Sequence, residues 1–139
     1  MTVVVDASVA VKWLFREPLS GAAGRLLKPG REPLAPDLVW VEVASAVYKK
    51  VRRGEVPAQK AEEVLKDFYR LPIKTYLSKA LMQTAWHVAL EAGLSVYDAL
   101  YLALSCDRDC PLVTADRKLY DRIFEAYPQS ETVWLEDLK

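Results

Sequence analysis

Thr2-Val3-Val4-Val5-Asp6 opens the chain with four β-branched residues in a row and then a carboxylate. A short apolar run without alternation reads as a strand covered on both faces, the kind found in parallel sheets. The pattern returns near the other end as Pro111-Leu112-Val113-Thr114-Ala115-Asp116. Open α/β sheets bind ligands beyond the carboxyl ends of their strands. If these two strands are neighbours, Asp6 and Asp116 meet at that edge, and two crowded carboxylates need a proton or a cation between them.

Between the two runs the punctuation is helical. The apolar spacing predicts helices over 8–15, closed by Pro18, and over 19–28, ended by Pro29-Gly30. Asp37 reads as the N-cap of a long helix over 38–53, with Gly54 past its end. Pro57 starts a helix over 57–70, which Leu71-Pro72 breaks. Two more are expected over 77–92, stopped by Gly93, and over 95–106, followed by one over 117–126. Residues 33–36 and 132–135 read as further strands. Strands alternating with helices give an α/β class, with a parallel sheet and helices on both faces.

Bulk composition narrows the chemistry. The chain has 139 residues, 52% hydrophobic and 27% charged, which suits one packed domain over 1–139. Lys plus Arg and Asp plus Glu each total 19, so the net charge is zero and any nucleic acid must be held by a local basic patch, or one assembled across a dimer. With two cysteines and one histidine, a Cys/His zinc site is short of ligands and a histidine-based mechanism would rest on His87 alone. Cys106 and Cys110 are too few for a secreted disulfide framework and read as unlinked thiols in a reducing compartment. The apolar start is interrupted by Asp6 and Lys12, and no segment looks like a leader or a membrane span, so a cytoplasmic location is expected.

Each acid has a structural and a functional reading. Asp6 and Asp116 both precede helices and would serve as caps; taken singly, the two readings weigh about the same. Glu42 has Leu38, Val39, Ser45 and Ala46 as helical neighbours, so it faces an apolar or small surface and needs a metal, a base or a donor network. Asp98, three residues after Ser95, matches a capping box with Asp in place of Glu or Gln, but Leu94 and Leu102 set it beside the buried stripe. Four such acids suit a hard cation, Mg²⁺ or Mn²⁺, able to activate water and neutralise a phosphodiester without histidine.

Taken together, the segments Val3–Ser8, 36–47, 97–104 and 111–119 resemble the PIN-domain superfamily and, within it, the VapC-like toxins of toxin–antitoxin pairs. The resemblance covers nearly the whole chain. It implies a three-layer α/β/α domain with a roughly five-stranded parallel sheet, and four acids, Asp6, Glu42, Asp98 and Asp116, around Mg²⁺ or Mn²⁺. It implies hydrolysis of single-stranded RNA to leave a 5′-phosphate, with the Ser8 and Thr114 hydroxyls supporting the carboxylates. It also implies a homodimer and a small antitoxin whose tail covers the site.

Lys49, Lys50, Arg52 and Arg53 form the one dense basic run. Ser45, Lys49 and Arg53 continue the helical face of Glu42, so Lys49 and Arg53 are candidate RNA contacts; Arg117 and Lys118, beside Asp116, are a second grip. Their plain alternative is a solvated helix end. Asp121 and Glu125 read as solvated, and Trp13, Trp40 and Tyr97 as packing residues before base-stacking ones. The stripes of Val64, Leu65 and Phe68 and of Leu81, Ala85 and Val88 are expected in the core, with a dimer or antitoxin surface as the alternative for part of either. Two rivals remain. A phosphotransfer domain with Asp6 as nucleophile lacks the second aspartate two residues on, where Ser8 stands. A non-catalytic PIN-fold RNA- or protein-binding module would not require all four acids.

Overall fold

The computed structural model describes all 139 residues. Five strands form one sheet: β1 (Thr2–Val5), β2 (Glu32–Pro36), β3 (Lys74–Tyr76), β4 (Leu112–Thr114) and β5 (Thr132–Trp134), in the order β3-β2-β1-β4-β5. Every neighbouring pair is parallel. The α/β reading therefore holds, and the order reverses between β1 and β4, where a doubly wound sheet opens its crevice. Seven α-helices connect the strands: α1 (Ala7–Val11), α2 (Ser20–Gly24), α3 (Leu38–Arg52), α4 (Ala58–Phe68), α5 (Ser78–Ala92), α6 (Val96–Arg108) and α7 (Arg117–Ala126).

Period-two alternation along β1 divides the interior into two cores. Val4 points with Leu34 and Leu112 into the larger one, which holds Val39, Val43 and Val47 of α3, Leu81, Ala85 and Val88 of α5, Leu100, Leu102 and Leu104 of α6, and Leu119 and Ile123 of α7. Val3, Val5 and Val113 point the other way and are covered by Val9, Ala23, Leu26 and Leu135. Both faces are covered, but unequally: five helices together with Ala10 and Val11 of α1 pack on one, while Val9 of α1, α2 and two single 3₁₀ turns (Arg25–Leu27 and Leu135–Asp137) close the other. Burial of every β1 side chain past Thr2 is why the run shows no polar alternation.

Several elements depart from expectation for identifiable reasons. The helix expected over 8–15 is α-helical only through Val11; the amides of Lys12, Trp13 and Leu14 then bond three residues back, a tighter winding. The 19–28 helix divides into α2 and a 3₁₀ turn, entered through Leu19 at φ 69°. Strand β3 has no counterpart among the strands read from the residues, because Lys-Thr-Tyr is three residues long, half-exposed and at the sheet edge. Asp37 does not cap α3. Its Oδ1 instead accepts from the backbone N (2.9 Å) and the hydroxyl of Ser78, capping the first turn of α5 across the sheet edge. Gly54 and Gly93 do end helices as expected, both at positive φ, 75° and 66°. Cys106 is exposed and Cys110 buried, and both are free thiols. No single helix is long and apolar enough to cross a membrane.

Candidate active site

Strand register brings the acids together. Val5 pairs with Val113, so the next residue, Asp6, stands opposite Thr114 at the carboxyl edge. Thr114 donates its hydroxyl to Asp6 Oδ2 at 2.5 Å, and Ser8 donates its hydroxyl to Oδ1 at 2.5 Å. Each hydroxyl also accepts a backbone amide, Ser8 from Ala115 (3.0 Å) and Thr114 from Asp116 (3.0 Å). The β1–α1 and β4–α7 turns are thus stitched to one another through two hydroxyls and a carboxylate. Both aspartates are also caps, Asp6 accepting from the Val9 amide and Asp116 from the Leu119 amide, each at 3.2 Å. Capping and clustering are compatible: the cap uses one oxygen of Asp116 and turns the carboxylate toward the sheet edge.

Glu42, half-buried on α3, finds a donor rather than an ion partner. Tyr101 of α6, 1% exposed, donates its hydroxyl to Glu42 Oε1 at 2.6 Å. The sequence reading did not single out Tyr101, although it lies three residues after Asp98 and so on the same side of the helix. Asp98 sits half-buried in the first turn of α6, where the Ser95 hydroxyl accepts its backbone amide at 3.1 Å. That is one half of the expected capping box.

The electrostatics agree that these groups share a site. Burial pushes Asp6 from its ordinary 3.8 up to about 6, against the opposing pull of the Ser8, Thr114 and Val9 donors, and the Asp116 charge adds to the rise. Glu42 is raised by burial, lowered by the Tyr101 hydrogen bond and raised again by Asp98. Asp98 is raised by burial and by the Asp116 charge. Tyr101, buried beside Glu42, Asp6 and Asp98, is held far above the ordinary phenol range and stays a donor. Glu42, Asp6 and Asp98 therefore act on one tyrosine, Asp116 acts on Asp6 and Asp98, and no salt bridge involves any of the four.

Asp98 and Asp116 line a cleft of about 280 Å³ together with Ser95, Lys118, Leu119 and Arg122. The largest hollow, about 610 Å³, opens among Thr2, Glu32, Lys74, Arg108 and Glu131, at the starts of the strands. Size does not locate the site here; the strand carboxyl ends and the convergent acids do.

The donor set is all oxygen, which fits a hard divalent cation. No three acids meet at one point close enough to chelate an ion among themselves. An ion bound there would complete its shell with water, as Mg²⁺ commonly does.

The remaining predicted residues scatter. Lys49 and Arg53 are exposed on the far end of α3, two and three turns beyond Glu42. Lys50 is bound to Glu17 at 2.8 Å and lies over the Phe15 ring. Burial alone would raise Glu17, but Lys50 and then Lys12 hold it below the usual carboxylate range, so Lys50 is a structural cation. Arg117 lies 4.0 Å from the Trp134 ring centroid and 3.8 Å from Asp121. Trp13 donates to the Ala23 carbonyl and Trp40 packs edge-on against Phe68, both structural as expected, while His87 is exposed on α5.

Comparison with known proteins agrees with this geometry. The PIN domain model matches residues 3–124. Ribonuclease VapC9 of Mycobacterium tuberculosis is 35% identical over 119 residues, which is 86% of this chain and 89% of that one. Ribonuclease VapC3 of Pyrobaculum aerophilum is 32% identical over 124 residues, 88% of this chain and 95% of that one. The crystal structure of PAE2754 from Pyrobaculum aerophilum superposes with a TM-score of 0.73 at 25% identity, covering 98% and 93% of the two chains. A sheet that reverses order between two aspartate-ended strands, four clustered acids and these matches lead to one conclusion: the chain belongs to the PIN-domain family, among its VapC-like ribonucleases.

Proposed function

We propose that the protein is a metal-dependent endoribonuclease that hydrolyses single-stranded RNA and acts as the toxin of a toxin–antitoxin pair. The observation that carries this reading is the stitched pair of turns, in which Ser8 and Thr114 hold Asp6 beside Asp116 at the β1/β4 edge, with Asp98 and Glu42 close by. Three of the four acids are raised by burial or by each other, so the site as built favours protons or cations. In this reading Asp6, Asp98 and Asp116 hold Mg²⁺ or Mn²⁺, and Glu42 binds metal or orients the attacking water. A divalent ion there supplies charge neutralisation at the phosphodiester and a more acidic water.

The chain's own residues do the positioning. Thr114 and Ser8 fix the Asp6 carboxylate through both oxygens, and Tyr101 fixes Glu42 through one, leaving its other oxygen without a protein hydrogen bond. Hydrolysis that leaves a 5′-phosphate, a homodimer, a small antitoxin partner and a cytoplasmic location complete the proposal as what the sequence resemblance implies; kinship with VapC ribonucleases supports the ribonuclease part. Residues 1–139 are read as one domain, and Lys49, Arg53 and Arg117 stay candidate RNA contacts. The non-catalytic module is disfavoured because no acid of the set is missing.

Incubation of the purified protein with mixed single-stranded RNA, in Mg²⁺ or Mn²⁺ against EDTA, tests this. Fragmentation with metal and none in EDTA is expected. Intact RNA with metal present, from folded protein free of any antitoxin, overturns the nuclease reading.

A further inference from the structure

The acid cluster repels the polyanion it is meant to cut, and the neutral chain offers no general attraction. Some cations near the site must therefore face solvent without an acid of their own. Lys118 and Arg122 meet that condition. They stand four residues apart on α7, and both line the cleft that holds Asp98 and Asp116. Both also line an adjoining hollow of about 570 Å³, completed by Asp121 and Glu125, so the groove leaves the acids along α7. Neither belongs to a salt bridge, whereas Arg117 is occupied by Trp134 and Asp121. Asp121 faces Arg117 at 3.8 Å, which leaves Glu125, two turns beyond Lys118, as the one acid of the outer hollow without a salt bridge. The Arg122 guanidinium rests against Gly93, where an added Cβ would lie 3.7 Å from Nη1, at the α5–α6 corner just ahead of Asp98.

We propose that Lys118 and Arg122 form a phosphate track that grips consecutive phosphates of the RNA strand as it leaves the acid cluster along α7. This rests on the nuclease reading and names its substrate contact. Four residues of helix set the two attachment points about 6 Å apart along the axis, on the scale of one nucleotide step in an extended strand. Arg122 supplies a fork for two phosphate oxygens, and Lys118 a point charge nearer the scissile bond. The contacts are to backbone and not to bases, so the track adds affinity without sequence preference.

The test is binding of a labelled single-stranded RNA in Mg²⁺ over a series of salt concentrations, in an Asp6→Asn background that keeps the strand intact, with cleavage by otherwise wild-type chains alongside. Adding Lys118→Ala and Arg122→Ala is expected to weaken binding on the order of tenfold and to flatten the log–log salt slope by about 1.4, or about 0.7 per lost phosphate contact. The charge-keeping pair Lys118→Arg and Arg122→Lys is expected to retain the slope, as is Lys60→Ala on the exposed side of α4. Melting temperatures report that each variant is folded. An unchanged slope in the double alanine variant, with wild type still cutting, overturns the track and leaves the nuclease. A slope that depends on Lys118 and Arg122 in a protein that never cuts keeps the track and removes the nuclease. Absence of any RNA binding by the parent overturns the track, and if wild type also leaves the RNA intact it overturns the nuclease with it.

Discussion

Tyr101→Phe removes a single oxygen from the centre of the site. The ring volume is kept, so no cavity forms, and what disappears is the hydrogen bond to Glu42 Oε1 at 2.6 Å. A hydrogen bond to a charged group is worth roughly 1.5–3 kcal/mol. Glu42 is only half-buried, so water can take the vacated place, and the lower figure, about 1.5 kcal/mol, applies. Spent on orienting Glu42, that energy corresponds to a drop of about tenfold in kcat/KM for RNA cleavage. The fold should lose up to about 1.5 kcal/mol, a Tm decrease of up to roughly 6 °C. A second readout separates positioning from general loosening. The Tyr101 hydrogen bond is what holds the Glu42 carboxyl down against burial and Asp98, so its removal lets that group rise further. The acid limb of the kcat/KM profile should then move to higher pH. A fluorogenic short RNA assayed in Mn²⁺ across pH, with thermal melts of the same samples, reads all three quantities. Full kcat/KM with an unmoved acid limb in a folded Tyr101→Phe protein would refute the reasoning.

In EDTA, stability should fall as pH rises from about 4 to about 6, because folded Asp6 keeps its proton up to about 6 while the unfolded chain releases it near 3.8. The whole step is worth up to about 3 kcal/mol, with Glu42 and Asp98 shifted in the same direction, and is read from urea melts at each pH; a flat profile would contradict it. Mg²⁺ or Mn²⁺ should raise Tm more at neutral than at mildly acidic pH, since a cation replaces protons that are absent there, and equal shifts at both would count against a carboxylate site. Thr114→Val keeps the shape but takes a donor from buried Asp6 and an acceptor from the Asp116 amide, so denaturant unfolding should show a loss of about 2–3 kcal/mol. A loss below about 0.5 kcal/mol, the range of a neutral surface change, would mean the stitch is dispensable.

How much of this was legible beforehand varies with the physics of each signal. β1 and β4 could be read because burial on both faces leaves an unbroken apolar run, and their terminal aspartates announced the edge. β3 left no such mark, being a short edge strand whose partners, not its composition, make it a strand. Asp37 had the right type and place for a cap, yet its acceptor went to Ser78, 41 residues later, a tertiary choice that local rules do not carry. The four acids were legible from spacing and resemblance. What spacing could not supply was their wiring: Ser8 and Thr114 bridging two turns, Tyr101 holding Glu42, and Lys50 withdrawn from the basic run by Glu17. Arg122 was missed because it enters the cleft from one turn further along α7, where sequence alone suggests a solvated face.

The central claim is that the carboxylates at the β1/β4 edge perform the cutting, and Asp6→Asn tests it most directly. The change removes charge with almost no change of shape, and the amide can still accept from Ser8 or Thr114 through its oxygen. Cleavage of single-stranded RNA in Mg²⁺ or Mn²⁺ by wild type and variant, compared at equal folded concentration, is the measurement. The account predicts metal-dependent fragments from wild type and none above the EDTA background from Asp6→Asn, with the variant's fold intact. Wild-type rates from a folded Asp6→Asn protein would contradict it.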